Sequence, residues 1–270
     1  MITFPNAKIN IGLHITEKRS DGFHNLETVM FPIPITDALE FVESDALYFE
    51  SSGLPIDSIP EQNLVLKAYY LLKEKFDLPP VHIHLHKTIP TGAGLGGGSS
   101  DAAFMLKMLN THFRLNLSNP ELEEIAARLG SDCAFFINNQ PVFAYGRGEL
   151  MEPVDLVFPN MYILLVKPPF GISTKEAYSN VAPQKSRLSL KALIDFSITQ
   201  WKPNIKNQFE RTLFSAYPEL SEIKETMYRL GAVYASMTGS GSAVYGFFRS
   251  NPERFIQNFP PNYFSFASPL

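Results

Sequence analysis

The amino-acid sequence predicts an α+β or mixed α/β protein. Apolar and polar residues alternate from Ala7 to Thr16, which is typical of a strand with one buried face. Apolar residues also recur at helical spacing from Ala102 to Phe113, directly after a run of glycines. Strands and helices follow one another along the chain without a regular repeat, so both types of element are expected to share the fold.

The other elements are predicted from periodicity and capping residues. In chain order they are a helix from Asn63 to Phe76, a strand from Val81 to Lys87, a helix from Pro120 to Leu129, a strand from Met161 to Val166, a helix from Pro218 to Leu230 and two short strands flanking Thr238–Ser242. Leu64, Ala68 and Leu71 are expected to form the apolar side of the first helix. Gly130 directly follows the predicted helix from Pro120 to Leu129. The polar region from Ala182 to Lys191 is expected to be a loop.

Composition describes an ordinary globular protein and argues against several classes of partner. Hydrophobic residues make up 45% of the 270 residues and charged residues 19%, so the chain can bury a sizeable core. The net charge of −4 argues against nucleic acid and anionic membranes, since both attract basic surfaces. The single Cys133 excludes an internal disulfide framework, and no signal peptide or membrane-spanning run is found. We therefore expect a cytoplasmic protein with no obligate protein partner.

The run from Pro90 to Asp101 holds five glycines in the seven positions from Gly92 to Gly98. Glycine loses the most backbone entropy on folding, so such a run is used where backbone N–H groups must face a ligand. A phosphate at the N-terminus of the following helix fits best, with Ser99 or Ser100 as the expected cap. The run lacks the Lys-Ser/Thr ending of a P-loop and the later acid of a dinucleotide-binding unit. It is also too short for a flexible linker.

Five motifs resemble those of the GHMP kinases, the family of galactokinase, homoserine kinase and mevalonate kinase. They are Asn6-Ala7-Lys8-Ile9-Asn10, Asp21-Gly22-Phe23-His24, the glycine run, Gly130-Ser131-Asp132 and Met237-Thr238-Gly239-Ser240-Gly241-Ser242, in the order of the family. The resemblance implies a two-domain α+β GHMP kinase fold with its active site in the cleft between the domains. A ribosomal S5 domain 2-like, ATP-binding domain would span residues 1–155, and a ferredoxin-like domain residues 156–270. ATP would be the phosphoryl donor and Mg²⁺ the cofactor.

The resemblance also assigns the ATP site. The triphosphate would be held by Pro90, Thr91, Gly92, Ala93, Gly94, Leu95, Gly96, Gly97, Gly98, Ser99 and Ser100, with Asn63 and Lys87 flanking the adenine. Ser99 is the candidate hydroxyl for a phosphate oxygen or the magnesium shell, and an ordinary N-cap explains it equally well. No metal site made of protein ligands is predicted. His82, His84 and His86 alternate on one strand face without a nearby Cys or acid cluster, so a solvated face explains them.

Asp132 is the expected catalytic base. It follows the end of a predicted helix, where a loop carboxylate can accept the proton of an acceptor hydroxyl. Spacing alone favours an N-cap for the segment Cys133–Ile137, whereas the family pattern Gly-Ser-Asp favours catalysis. By resemblance, Lys8 lies beside Asp132, keeps it ionised and stabilises charge on the attacking oxygen. The alternative for Lys8 is a solvated strand face.

The residues expected to contact the acceptor are Asn10, Phe23, His24, Tyr178, Gly239 and Ser240. By resemblance, Phe23 stacks on a cytosine, His24 hydrogen-bonds it and Tyr178 closes its other side, although helix packing explains Tyr178 nearly as well. For Gly239 and Ser240 the alternative is a plain hairpin. Two positions depart from the family: Phe23, where Tyr is frequent, and Gln208, where relatives usually carry Asp.

Within the family, the sequence most resembles the branch that phosphorylates the 2-hydroxyl of a CDP-linked methylerythritol in the non-mevalonate isoprenoid pathway. The turn Asp21-Gly22-Phe23-His24 favours this branch, because mevalonate, phosphomevalonate and homoserine carry no base to stack. A non-catalytic nucleotide-binding regulator is an alternative that the retention of Lys8 and Asp132 disfavours. A dinucleotide-dependent oxidoreductase ranks last.

Overall fold

The computed structural model describes residues 1–56, 60–179, 181–184 and 188–270. Over these residues the strands are β1 (Ile2–Thr3), β2 (Asn6–Lys18), β3 (His24–Thr36), β4 (Ala38–Glu43), β5 (Tyr48–Gly53), β6 (Val81–Lys87), β7 (Val142–Gly146), β8 (Leu150–Pro153), β9 (Tyr162–Lys167), β10 (Tyr234–Met237), β11 (Val244–Phe248) and β12 (Phe264–Pro269). The helices are α1 (Leu64–Phe76), α2 (Gly97–His112), α3 (Asn119–Ala127), α4 (Phe135–Asn138), α5 (Thr174–Ser179), α6 (Leu190–Leu193), α7 (Trp201–Asn204), α8 (Glu210–Ala216) and α9 (Pro218–Arg229). Short 3₁₀ helices span Pro60–Gln62, Ile198–Gln200 and Glu253–Asn258.

The chain divides into two compact units, each of which is discontinuous in sequence. The first unit comprises Met1–Lys8, Ile35–Thr91 and Gly96–Gln140, and the second comprises Ile9–Pro34, Gly92–Leu95 and Pro141–Leu270. The glycine run therefore contributes residues to both units. The division into domains of residues 1–155 and 156–270 stays a prediction.

The first unit contains a four-stranded sheet in the order β1-β4-β6-β5. β4 pairs antiparallel with β6, with Phe41 opposite Ile83, whereas β5 runs parallel to β6. Helices α1 and α2 pack against one another, and each places apolar residues such as Leu72 and Leu106 in the interior. β6 has the predicted bounds, and its end leads into the glycine run that precedes α2.

The apolar side of α1 differs from the prediction. Its buried residues are Val65, Leu66, Ala68, Tyr69 and Leu72. Four of them are spaced i, i+3, i+4 and i+7, which forms a continuous helical stripe. Leu64 and Leu71 lie beside that stripe and are only half-buried, so their assignment to the buried side is wrong.

The polar face of β6 is partly open to solvent. Ser52 Oγ on β5 lies within hydrogen-bond distance of His84 Nε2 at 3.0 Å and His86 Nδ1 at 2.9 Å. His82 Nε2 lies 3.5 Å from Glu50 Oε1. Within the described residues, no group of three or more His, Cys, Asp or Glu side chains is arranged to hold a metal.

The second unit contains the sheet β10-β11-β9-β12 and, apart from Asn6–Lys8 of β2 and Ile35–Thr36 of β3, the sheet β2-β3-β7-β8. The β10–β11 pair forms the two short strands predicted around Thr238–Ser242, with Met237 opposite Val244. The strand predicted from Met161 is β9, and the helix predicted from Pro218 is α9. Leu220, Ile223 and Met227 of α9 pack in one hydrophobic cluster with residues of β9, β10 and β11.

The region from Ala182 to Lys191 is not entirely the predicted loop. Helix α6 begins at Leu190 because Ser189 Oγ accepts the Lys191 N–H at 3.3 Å and Leu190 is buried. Residues 185–187 of this region lie outside the described residues. Among the helices that the structure describes, none is long and apolar enough to span a lipid bilayer.

Candidate active site

Helix α2 begins at Gly97, and Gly96 before it is its N-cap. Gly96 has a φ of +70°, in the left-handed region that residues with a side chain rarely adopt. The expected capping by Ser99 or Ser100 is therefore wrong, since both serines lie inside the first turn. Because no side chain caps this helix, its first N–H groups remain available to a ligand, as in the phosphate sites found at helix N-termini.

The side chain of Lys8 lies directly against Gly96. A Cβ at position 96 would come within 3.1 Å of Lys8 Cε and 3.0 Å of Phe136 Cζ. Lys8 is 3% exposed, and its Nζ lies 3.2 Å from Asp132 Oδ2. The alternative of a solvated strand face is wrong for Lys8, because residues on both faces of β2 are buried. The structure thus brings together the start of α2, a buried ammonium and a carboxylate.

Asp132 lies in the turn between α3 and α4. Helix α4 begins at Phe135 with Ala134 as its N-cap, so the alternative that Asp132 caps this helix is wrong. The Asp132 side chain is 31% exposed, whereas the neighbouring Cys133 is buried. Burial raises the pKa of the Cys133 thiol to about 11, against a hydrogen bond from Ser99. Cys133 is therefore a neutral packing residue, and Asp132 is the group of this turn that can exchange a proton with a ligand.

Lys87 lies in the interior of the first unit with two carboxylates. Its Nζ donates to Asp37 Oδ2 and, at 2.7 Å, to Asp101 Oδ2. None of the three side chains is more than 3% exposed. Asp37 Oδ1 also accepts the backbone N–H groups of Thr88 at 2.6 Å and Ile89 at 2.8 Å. A contact between Lys87 and adenine stays a prediction.

The pKa values of Lys87 and Asp101 are both shifted in this cluster. Burial lowers the pKa of Lys87, but Asp101 and Asp37 outweigh it, so this pKa is raised on balance. Burial also raises the pKa of Asp101 to about 7; Lys87 opposes that shift and Asp37 adds to it. The cluster therefore holds a permanently charged ammonium beside a carboxyl group that titrates near neutrality.

The remaining ATP-site candidates differ in exposure. Ser100 is buried, and its Oγ has no hydrogen-bond partner among the described residues. Ser99 is half-buried, and its Oγ would lie 4.0 Å from a Cβ on Gly130. A contact between Ser99 and a phosphate or magnesium stays a prediction. Asn63 caps α1 through its Oδ1, which accepts the Val65 N–H at 2.9 Å. Along the glycine loop, Ala93 and Leu95 are buried, Pro90 is half-buried, and Thr91 and Gly98 are exposed.

In the second unit, loop residues 92–95 lie on the glycine turn that joins β10 to β11. The Ala243 N–H donates to Ala93 O at 3.2 Å. A Cβ on Gly94 would lie 2.1 Å from Thr238 O, so only glycine fits at this contact. The turn between β10 and β11 closes a hairpin, as the alternative predicted, and it also holds part of the glycine loop.

Asn10 is 3% exposed and belongs to the same cluster of contacts. Its backbone N–H donates to Thr238 Oγ1 and its Nδ2 donates to Thr28 Oγ1, both at 3.0 Å. Thr238 Oγ1 donates in turn to Gly94 O at 3.1 Å. A Cβ on Gly239 would lie 3.1 Å from Asn10 Oδ1. These contacts bring Asn10, Gly94 and Gly239 together, and their contact with an acceptor stays a prediction.

The aromatic residues predicted to bind cytosine, Phe23, His24 and Tyr178, all lie in the second unit. Phe23 follows the predicted tight turn; it is 56% exposed, and the Arg147 guanidinium lies 5.3 Å from its ring centroid. His24 stacks on Tyr178, with ring centroids 5.1 Å apart and an interplanar angle of 26°. Tyr178 also meets the ring of Phe209 edge-on at 4.9 Å, which supports the packing alternative. An exposed ring beside a cation can receive a planar base.

Two buried polar residues near the glycine turn were given no role by sequence reasoning. Thr238 bonds Asn10 and Gly94 as described, and Asn207 Nδ2 donates to Met237 O at 2.9 Å and Gly239 O at 2.8 Å. Ser240 in this turn is half-buried. Gln208, which departs from the family, accepts the Ile15 N–H at 2.6 Å through its Oε1 and so supports strand β2.

Sequence reasoning also missed the pairing of Lys87 with Asp101, although a signal was present. Lys87 continues the inward alternation of Val81, Ile83 and Leu85. Asp101 lies four residues before the buried Met105, on the apolar stripe of α2. Opposite charges on the inward sides of neighbouring elements indicate a buried pair, since a lone buried charge is too costly.

Comparison with known proteins places these features in one family. Models of the GHMP kinases N terminal domain and the GHMP kinases C terminal domain match residues 63–147 and 189–265. The chain is 52% identical over 248 residues to the 4-diphosphocytidyl-2-C-methyl-D-erythritol kinase of Parabacteroides distasonis, covering 92% of both chains. It is 54% identical over 260 residues to the kinase of that name from Bacteroides fragilis, covering 95% of this chain and 94% of that one.

The fold agrees with this relationship. The crystal structure of a 4-(cytidine 5'-diphospho)-2C-methyl-D-erythritol kinase superposes with a TM-score of 0.85 at 29% identity, over 99% of this chain and 98% of that one. This match confirms the predicted two-domain α+β GHMP kinase fold. The chain, with its glycine loop, its Lys8–Asp132 pair and its late glycine turn, belongs to the GHMP kinase family.

Proposed function

We propose that this chain is an enzyme that uses ATP to phosphorylate the 2-hydroxyl of 4-diphosphocytidyl-2-C-methyl-D-erythritol, giving the 2-phosphate and ADP, in the non-mevalonate route to isoprenoid precursors. The acceptor follows from relatives more than 50% identical over at least 92% of the chain, which carry its name. The structural observation that carries the chemistry is the Lys8–Asp132 pair, 3.2 Å apart, packed against Gly96 at the start of α2.

In the proposed reaction, the acceptor oxygen attacks the terminal phosphorus of ATP, and the bond from that phosphorus to the bridging oxygen of ADP breaks. The hydroxyl proton passes to the carboxylate of Asp132. The Lys8 ammonium, 3.2 Å from that carboxylate, orients it and stabilises negative charge on the reacting oxygens. Because such transition states are largely dissociative, alignment by these two residues contributes more than the strength of the base.

The proposed cytidine site is formed by aromatic residues of the second unit, Phe23, His24 and Tyr178. Phe23 presents an exposed ring on which a base can stack, and His24 offers ring nitrogens to a base edge. Burial, and to a lesser degree Lys18, lowers the pKa of His24, so a neutral imidazole that both donates and accepts is favoured at pH 7. Asn10 and the turn of Gly239 and Ser240 would orient the methylerythritol part.

Magnesium enters the proposal as the ion that accompanies ATP. Mg²⁺ prefers oxygen ligands, keeps several waters and is bound largely through substrate phosphates. Among the described residues, no group of three or more His, Cys, Asp or Glu side chains is arranged to hold a metal. Ser99 Oγ in the first turn of α2 would be the protein ligand of Mg²⁺, and the ion would neutralise phosphate charge.

Three further expectations remain part of the proposal. The two matched family regions, residues 63–147 and 189–265, lie on either side of residue 155, which supports the division into domains of residues 1–155 and 156–270. The cytoplasmic location rests on composition and the single cysteine. ATP and the CDP-linked alcohol are the proposed partners, without nucleic acid, membrane or an obligate protein.

Measuring ADP release with ATP and Mg²⁺ in the presence of different acceptors tests this function. The panel contains 4-diphosphocytidyl-2-C-methyl-D-erythritol, mevalonate and homoserine. ADP release with the cytidine compound alone is the expected result. Release with another acceptor only would overturn the assigned substrate. If no ADP is released with any of the three acceptors, while calorimetry still detects ATP binding, the result would favour a non-catalytic nucleotide-binding regulator.

A further inference from the structure

We propose that Asp37, Lys87 and Asp101 form a positioning cluster that holds both ends of the glycine loop in the shape that binds ATP. This inference rests on the proposed function, because it concerns the nucleotide loop of that kinase. The cluster acts through backbone segments and does not touch the reacting atoms. Its residues are therefore positioning residues, and Lys87 serves ATP through the loop instead of through the adenine.

The cluster fixes the chain just before the loop. Lys87 is the last residue of β6, and the two residues after it donate their backbone N–H groups to Asp37 Oδ1 at 2.6 and 2.8 Å. The other oxygen of the same carboxylate accepts from Lys87 Nζ. A single buried aspartate thus determines the path of residues 87–89, directly ahead of Pro90.

The same ammonium also fixes the chain just after the loop. Asp101 lies in the second turn of α2, and its Oδ2 accepts from Lys87 Nζ at 2.7 Å. Gly97, the first residue of α2, rests on this cluster: a Cβ there would lie 2.9 Å from Ile89 Cγ2 and 3.4 Å from Lys87 Nζ. Lys87 therefore ties the end of β6 to the start of α2, whose amides would receive the phosphates.

The cluster is poorly suited to stability alone. It buries two carboxylates for one ammonium, and Asp101 Oδ1 has no hydrogen-bond partner among the described residues. Replacing buried ion pairs by apolar residues of similar volume is often neutral or stabilising. An arrangement that costs desolvation and leaves one oxygen unpaired is better explained by the geometry that it imposes.

The variant Asp101→Leu tests the inference, because it keeps a similar volume and removes the oxygen that accepts from Lys87 Nζ, while Lys87 keeps Asp37 as its partner. We expect affinity for a non-hydrolysable ATP analogue to fall about tenfold, the effect of losing one charged hydrogen bond. The KM for the cytidine acceptor is expected to change less than twofold. The matched control is Leu72→Ala, which weakens packing in α1 of the same unit and should leave nucleotide affinity unchanged.

A second variant, Lys87→Met with Asp37→Asn and Asp101→Leu, guards against misfolding. It removes all three buried charges, so no carboxylate is left without its ammonium, and the amide oxygen at position 37 can still accept the N–H groups of Thr88 and Ile89. Folding is checked by circular dichroism and thermal unfolding. We expect a folded protein with at least tenfold weaker affinity for the ATP analogue.

The outcomes separate this inference from the proposed function. Wild-type nucleotide affinity in either folded variant would overturn the positioning cluster, whatever the activity of the enzyme. The inference would also be overturned if Leu72→Ala weakened nucleotide affinity as much as the cluster variants do at the same loss of unfolding free energy, because the affinity would then follow stability alone. Failure of the unmodified enzyme to phosphorylate the cytidine acceptor would refute the function, while the binding measurements would still decide the role of the cluster.

Discussion

Replacing Gly96 with alanine is expected to impair turnover more than stability, because Gly96 touches the lysine of the proposed catalytic pair. The residue has a φ of +70° and caps α2. An alanine Cβ would lie 3.1 Å from Lys8 Cε and 3.0 Å from Phe136 Cζ. Carbon atoms normally approach to about 3.5–4.0 Å, so one of these neighbours has to move.

The size of the effect follows from two contributions. Holding alanine in the left-handed region costs about 1–2 kcal/mol of folding free energy. Relieving the contacts requires a movement of about 0.5 Å. Both side chains are buried, but Lys8 ends in a flexible four-carbon stem whereas Phe136 carries a rigid ring, so Lys8 is expected to move, together with an Nζ that now lies 3.2 Å from Asp132. A misplacement of about 1 Å can cost about 100-fold in rate, so about half that distance predicts roughly a tenfold loss of kcat, or about 1.4 kcal/mol of barrier.

Steady-state kinetics with the cytidine acceptor and urea unfolding separate the two contributions. Gly231→Ala is the matched control, since Gly231 has a φ of +98° and no atom within 4 Å of a new Cβ. This control should lose about 1–2 kcal/mol of unfolding free energy and keep the kcat of the wild type. A kcat for Gly96→Ala within twofold of the wild type would refute the reasoning that Gly96 sets the position of Lys8.

Three further changes probe other parts of the molecule. Asp132→Asn should lower kcat by ~10²–10⁴ with little change in ATP affinity measured by calorimetry, and near-normal turnover would remove Asp132 as the base. Phe23→Ala should raise the KM of the cytidine acceptor about tenfold and spare the KM of ATP, because one base stack is lost; equal losses would assign Phe23 a structural role. Burial lowers the pKa of His14, against an opposing effect of Glu27, so below pH 6.5 the unfolded chain binds more protons than the folded one. The free energy of unfolding should therefore rise with pH up to about 6.5 and level off, and urea titrations of His14→Gln should show a flatter dependence; an unchanged slope would contradict this origin.

Elements with one dominant periodicity could be predicted from the sequence. The bounds of β6 agree because its alternation is uninterrupted from Val81 to Lys87. The end of α9 was predictable because Gly231 follows it with a φ of +98°. The start of α2 was not, because Ser99 and Ser100 are both favourable caps by propensity. The left-handed Gly96 opens the helix earlier, and the uncapped amides are what a phosphate requires.

The pairing of Lys8 with Asp132, the proposed catalytic pair, could be predicted only with the family motifs. Lys8 and Asp132 lie far apart in the sequence, and each has an ordinary explanation, a strand face for one and a helix cap for the other. Neither the hydrophobic periodicity of the sequence nor the structural propensity of its residues predicts that two such distant residues are in contact. The structure removes both ordinary explanations, because Lys8 is 3% exposed and Ala134 is the N-cap of α4.

The shape of the glycine loop could not be derived from the glycine motif, and this has a physical cause. Glycines impose little conformational preference of their own, so the residues that define the loop have to lie outside it. In the second unit Thr238 holds Gly94 through a hydrogen bond of 3.1 Å to its carbonyl oxygen. In the first unit Lys87 holds the segments on both sides through Asp37 and Asp101. A motif search therefore finds the glycine loop, which is the flexible part of such a site. The buried polar residues that hold the loop can be found as charged residues that fall on the apolar sides of the neighbouring strands and helices.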